Sequence, residues 1–274
     1  MRFNLIGPFE IVTDDGRIYR PGTPKVCQTL ALLLTRPNEI VTAETLIREL
    51  WGERPPRSAV TTLQTYVYHA RRMFVNERLT DPDRALLVTS PPGYAMRVTA
   101  DEVDVRVFER LVDQAQRELA QGDPARALGT VDQALALWRG PALANFPAGD
   151  VLMGHITHLE ELRIRAYEIR IDAQDRLGRH REAIPELRRL INDYPLNEWF
   201  HHRLMAALGA TGRRAEALQA YQNIRRILAD ELGLEPSLEL KRLQLRLLNP
   251  EPGDGSGRPA VRGHHRDVVG AKTA

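Results

Sequence analysis

Residues 55–74 read PPRSAVTTLQTYVYHARRMF. The two prolines forbid a helix at the start of the stretch, because proline lacks a backbone N–H and fixes φ; the residues after them have helix length. At about 100° per residue, Val60, Leu63, Val67, Ala70 and Phe74 gather on one side, which is the expected core face. Thr61, Thr62, Thr65, His69 and Arg72 fall on the opposite arc, with Tyr68 at its edge. A solvated helix surface usually carries a mixture of Glu and Lys. Hydroxyls and arginines suit a surface that lies against an anionic partner. Between Glu53 and Arg78 the basic residues Arg54, Arg57, Arg71, Arg72 and Arg78 are opposed only by Glu53 and Glu77, so the positive excess is local.

The flanking segments give this helix its context. FNLIGPFEIV (3–12) and RIYR (17–20) are rich in β-branched and aromatic residues and are separated by TDDG, which predicts a small sheet with a turn. From Thr23, Val26, Cys27, Leu30, Leu33 and Leu34 recur at helical spacing until Pro37 and Asn38 stop the run. In VTAETLIRELWG (41–52), Thr42 is the expected N-cap, Leu46, Ile47, Leu50 and Trp51 form one stripe, and Gly52 closes the helix. LLVTSPPGYAMRV (86–98) predicts a hairpin about SPPG, flanked by Arg84 and Arg97, both within reach of phosphates. Strands, three helices and a hairpin come in the order of a winged helix-turn-helix. The third helix, from about residue 58 to 76, is then the recognition helix and the hairpin the wing.

Beyond residue 104 the chain is almost wholly helical, with runs expected at 104–121, 124–138, 150–177, 180–193, 197–210, 213–232 and 236–248. GRHREAI from Gly178 aligns with GRRAEAL from Gly212, an offset of 34 residues that matches the tetratricopeptide period. GDPARAL from Gly122 is a more distant copy, and an insertion containing RGPALANFPAGD (139–150) breaks the period before Gly178. The fold class is therefore mainly α: a winged helix with small sheets over 1–99, an all-α repeat domain over 100–249, and a Gly- and Pro-rich tail over 250–274 expected to be disordered.

Composition narrows the function. The 274 residues carry 38 basic and 36 acidic side chains, too close to balance for net charge to identify a partner. The single cysteine, Cys27, cannot form an internal disulfide and lies on the apolar stripe of the first helix; with no apolar run of membrane-spanning length, a cytoplasmic location is expected. His155, His158 and Glu161 share a helix face but are expected to form a solvated surface. The pairs His201–His202 and His264–His265 have no ligand geometry, so no metal and no cofactor is expected. No P-loop, nucleophile elbow, zinc-protease or dinucleotide motif is present, and the chain is not expected to be an enzyme.

The ordered set LWGERPPRSAVTTLQTYVYHARRMF (50–74), PPGY (91–94) and DEVDVRVFERLV (101–112) resembles the Streptomyces antibiotic regulatory protein family, over about residues 3–248. The resemblance implies a winged helix joined to a bacterial transcriptional activation domain. It further implies an activator of a secondary-metabolite gene cluster that binds tandem direct repeats in promoter DNA as a homodimer and contacts RNA polymerase. In this family the loop between the second and third helices can touch the polymerase; here it is GERPPR (52–57), exposing Glu53, Arg54 and Arg57. The DNA-binding set expected is Arg57, Thr61, Thr62, Thr65, Tyr68, His69, Arg71, Arg72, Arg84 and Arg97. The family's S-R-L-R-R helix ending is altered: Tyr68 and His69 precede Ala70, although Arg71 and Arg72 remain, so no arginine-to-guanine contact is assigned at His69. The competing interpretation is a tetratricopeptide-like adaptor whose N-terminal domain binds protein.

Overall fold

The computed structural model describes residues 1–79 and 84–249; the tail expected over 250–274 lies outside the described residues. Packing divides the chain after Arg179 into two compact units.

The first unit opens with an antiparallel sheet of β1 (Arg2–Asn4), β2 (Glu10–Val12) and β3 (Ile18–Tyr19), in that order. Within the expected small sheet, the segment 3–12 supplies two strands paired Phe3 to Ile11, because Gly7 and Pro8 reverse the chain. Three helices come next, α1 (Pro24–Thr35), α2 (Ala43–Trp51) and α3 (Ala59–Asn76). As expected, the Thr42 hydroxyl caps α2 by accepting from the Thr45 N–H at 3.2 Å, and Gly52 ends it. A second sheet places β6 (Gly93–Met96) between β4 (Val41–Thr42) and β5 (Leu87–Ser90). The β5–β6 hairpin is the expected wing, with a cis Pro91–Pro92 bond at its tip.

One core joins these elements. Phe3, Leu30, Leu33, Leu34, Leu46 and Leu63 are fully or almost fully buried, each stabilising the fold by about 2 kcal/mol over an exposed position. Phe3 meets Phe74 of α3 edge to face at 6.3 Å, fixing the third helix on the first sheet. The inner stripe of α3 is Ala59, Leu63, Val67, Ala70 and Phe74. Val60, expected in that stripe, is 56% exposed, because the helix begins at Ala59 and the steps of four, four, three and four residues from there leave Val60 one position out of phase.

The same unit contains α4 (Asp104–Ala120), α5 (Pro124–Leu135) and α6 (Asp150–Arg176), packed against one another. Helix α5 stops three residues short of the expected 138. Leu137 and Trp138 form turns instead, and the Trp138 ring packs edge to face on Phe108 at 5.7 Å. The segment 136–149, which interrupts the repeat period, crosses onto the winged helix. The Leu143 N–H donates to Gly7 O at 2.7 Å, and Asn145 accepts from the Phe9 N–H at 2.7 Å while donating to Phe9 O at 3.2 Å.

Two buried carboxylates complete this seam. Asp104, at the first residue of α4, accepts from the N–H groups of Leu5 (2.7 Å) and Ile6 (2.9 Å). Burial pushes its carboxyl above the ordinary range, against the pull of those backbone N–H groups and of Arg139. Arg139 also reaches Glu10 at 2.6 Å, and Glu10 is paired with Arg20 as well. Glu49 of α2 accepts from the N–H groups of Gly149 (2.6 Å) and Leu152 (2.9 Å), so α6 is capped by a carboxylate a hundred residues away in sequence. A side chain at position 149 would place its Cβ 2.1 Å from the Glu49 carbonyl oxygen; only glycine permits this approach.

The second unit contains α7 (His180–Asp193), α8 (Glu198–Ala210), α9 (Arg214–Leu232) and α10 (Leu238–Leu248). Helix α7 packs on α8, α8 on α9, and α10 against both α8 and α9. The three sequence copies have one turn geometry. Gly122, Gly178 and Gly212 each have positive φ (83°, 69° and 78°) and each stand two residues before a helix start. In each copy the N–H of the next residue returns to a carbonyl five positions back: Asp123 to Glu118, Arg179 to Gln174, Arg213 to Leu208. The alanine five residues after each glycine, Ala127, Ala183 and Ala217, is buried, where a small side chain lets neighbouring helices approach.

Candidate nucleic-acid interface

The candidate surface lies on α3, whose inner face is held from three sides: Phe74 by Phe3, Tyr66 by Trp51, and Arg71 by the wing. The Trp51 and Tyr66 rings stack at 6.2 Å and 21°, which sets α3 against the end of α2. The outer face is open. Thr61, Gln64, Thr65, Tyr68, His69 and Arg72 are exposed, and Thr62 is half-buried beside them. Gln64 was not among the residues expected from sequence. It stands three residues after Thr61 and four before Tyr68, and glutamine has the donor–acceptor pair that suits adenine, so the helical count alone was enough to find it.

Most of the polar atoms on this arc make only weak or local contacts. Thr65 Oγ1 donates to Thr61 O at 3.0 Å, a bond within its own helix, and Thr62 Oγ1 lies 3.4 Å from Ser58 Oγ. Arg72 leans over Tyr68, its guanidinium 6.0 Å from the ring centroid and Nη1 3.5 Å from the phenol oxygen. The Tyr68 and His69 rings meet at 5.8 Å. Together they present two aromatic rings, hydroxyls and one guanidinium on a single ridge. At the N-terminus of α3 the Ser58 side chain does not cap the helix, and Arg57 is exposed beside that positive pole, an arrangement that favours a phosphate.

Two expected residues are engaged elsewhere. Arg71 is half-buried and turned toward the wing, its Nε donating to Leu87 O at 3.0 Å and Nη2 to Thr89 Oγ1 at 2.8 Å. Arg84 forms a two-pronged ion pair with Glu102 at 2.7 and 2.6 Å. That pair holds the Glu102 carboxyl down to about 2, with help from the Thr99 N–H and against the cost of desolvation. Arg97 is exposed near the base of the wing, and Glu53, Arg54 and Arg57 are exposed on the loop between α2 and α3.

Of the remaining candidates, His155, His201 and Cys27 are held within the fold, and His264–His265 lie outside the described residues. His155, expected on a solvated face, is half-buried with Nε2 3.4 Å from Thr35 Oγ1 at the end of α1; burial lowers its affinity for a proton, while His158 is exposed. His201 is buried with its Nε2 3.0 Å from Pro195 O. Cys27 is buried in the α1 stripe, and burial pushes its thiol up to about 11. Among the described residues no helix is long and apolar enough to cross a membrane.

With this geometry in place, the comparisons with known proteins are specific. Residues 20–96 match the family described as "Transcriptional regulatory protein, C terminal", and residues 103–248 match "Bacterial transcriptional activator domain". The chain is 36% identical over 264 residues to regulatory protein DnrI of Streptomyces peucetius, covering 95% of this chain and 97% of that protein. It is also 36% identical over 255 residues to transcriptional regulator RedD of Streptomyces coelicolor, covering 92% of this chain and 71% of RedD. A match at 35% identity to regulatory protein AfsR of Streptomyces griseus covers 95% of this chain but only 26% of that longer protein. A solved structure of Mycobacterium tuberculosis EmbR in complex with a low-affinity phosphopeptide superposes with a TM-score of 0.84 at 31% identity, covering 92% of this chain and 65% of EmbR.

Proposed function

The chain belongs to the Streptomyces antibiotic regulatory protein family of transcriptional activators, and we propose that it acts by seating the outer arc of α3 in the major groove of promoter DNA. Thr61, Thr62, Gln64, Thr65, Tyr68, His69 and Arg72 meet base edges and neighbouring phosphates, while Arg57 and the N-terminus of α3 brace the backbone. Arg97 adds a phosphate contact beside the wing. Arg71 contributes by holding the wing in register with α3, and Arg84 stays with Glu102.

The observation that carries this reading is the contrast between the two faces of α3: one locked into a core on three sides, the other a ridge of hydroxyls, rings and a guanidinium with few partners. The genes controlled are those of a secondary-metabolite cluster. Two protomers bind head to tail on direct repeats about 10 to 11 base pairs apart, which places both on one side of the duplex. The loop residues Glu53, Arg54 and Arg57 then face RNA polymerase. The site of action is the cytoplasm.

Fluorescence anisotropy with a duplex from the promoter nearest the native gene tests the core of the proposal. Affinity is expected to fall steeply with added salt as neutralised phosphates release counterions. Arg72→Ala is expected to weaken binding by about tenfold, the effect of one lost charged contact, while leaving the helical circular dichroism unchanged. Affinity that is flat with salt, or an Arg72→Ala variant that binds normally, would refute this mode and favour the protein-binding adaptor.

A further inference from the structure

Behind the recognition helix, between its C-terminal half and the outer strand of the wing, lies a cavity of about 690 Å³. Its walls are Phe74 and Val75 from α3 and Leu86, Leu87 and Val88 from the wing, with Arg71, Arg78 and Arg84 around it. Val75 is 67% exposed and carries the apolar lining out to the solvent-facing rim. The volume falls in the range of small-molecule sites, which are mostly apolar with a few placed polar groups.

Three arginines surround the cavity, in different states of pairing. Arg84 is neutralised by Glu102, but among the described residues no carboxylate pairs with Arg71 or Arg78. Arg71 directs its Nε and Nη2 donors to the neutral acceptors Leu87 O and Thr89 Oγ1, and a guanidinium binds a carboxylate more strongly than either. We propose that this cavity is a binding site for a small amphipathic anion, its apolar body against Phe74, Val75 and Leu87 and its acidic group toward Arg78 and Arg71. An anion that recruits Arg71 competes for the bonds joining α3 to the wing, so occupancy loosens the element that the DNA-binding proposal relies on; binding itself does not depend on that proposal.

The test uses the full chain and two probes, anilinonaphthalene sulfonate followed by its fluorescence and dodecanoate as competitor. Saturable one-to-one binding of the fluorescent anion is expected, with displacement by dodecanoate. Val75→Glu adds a negative charge at an exposed position, and Arg78→Asn removes the cation while tolerating the local φ of 49°. Each is expected to weaken both probes by roughly tenfold without changing the thermal unfolding midpoint. The absence of saturable binding, or affinity unaltered in both variants, would overturn the proposal. So would a groove that ignores both anions yet takes up an acidic amphipathic peptide, since that would be a protein-docking surface. Because no DNA is present, failure here leaves the duplex-binding result untouched.

Discussion

The outer arc of α3 and the seam between the winged helix and α4–α6 are built from similar kinds of residue and behave in opposite ways. At the seam, Asp104, Glu49, Glu10, Arg139 and Asn145 are bonded to backbone or to one another across long stretches of chain. On the arc, Arg72 and the threonines touch little beyond their own helix. Burying a polar group costs free energy unless it is paired, so the seam residues are committed to the fold. The arc residues remain solvated and are available to a partner. Polarity alone does not separate the two surfaces; whether it is spent within the fold does.

This contrast can be broken most severely at Asp104. Asp104→Ala strands the Leu5 and Ile6 N–H groups and removes one partner of Arg139, and should cost about 3 kcal/mol in urea unfolding. Asp104→Asn should recover little of that loss, because an amide can accept from one N–H but turns a donor toward the other. If both variants unfold like the parent, the seam does not hold the unit together. Arg71 sits between the two categories and sharpens the comparison. Arg71→Ala should cost about 1 kcal/mol of stability and also weaken duplex binding, whereas Arg72→Ala should affect binding alone. An Arg71 variant with normal stability and lost binding would move that residue onto the arc.

The smallest effect is expected at the Arg84–Glu102 pair. The Glu102 carboxyl titrates near 2 in the folded chain against an ordinary value of 4.5. A depressed folded value gives stability that is fully present above about pH 5 and is lost as pH falls toward 2. Since Arg84 is partly exposed, the gain is on the order of 1 kcal/mol. Arg84→Gln should therefore narrow its stability deficit relative to the parent as pH drops through that window. A deficit that stays constant down to pH 2 would remove the ion pair as its cause.

Much of this molecule is legible in its sequence because the relevant signals are local. The α3 stripe, the Thr42 cap, the hairpin about Pro91–Pro92 and the 34-residue offset of Gly178 and Gly212 all rest on spacing within one or two turns of chain. At Val60 the structure differs from the helical count by a single step, because the phase of α3 is set by where the helix begins. Counting places Thr61, Thr62, Thr65, Tyr68, His69 and Arg72 on the outer arc, and the same count extends to Gln64. Counting does not reveal that Arg71 and Arg84 are engaged within the fold. Each guanidinium is taken by a group 18 or fewer residues away across a turn of the fold, and no periodicity encodes that bond.

The amino-acid order by itself determined which faces of the helices are apolar, where the helices stop, and that a winged helix precedes a helical repeat, because these depend on backbone periodicity and the special geometry of glycine and proline. The tertiary structure alone decided which polar side chains are consumed and which stay free. It turned the insertion at 139–150 from an interruption of a repeat into the clasp on the winged helix, with Glu49 capping α6 across a hundred residues. The reason is that a hydrogen bond's worth depends on burial and on its partner, and both are set only when distant segments meet.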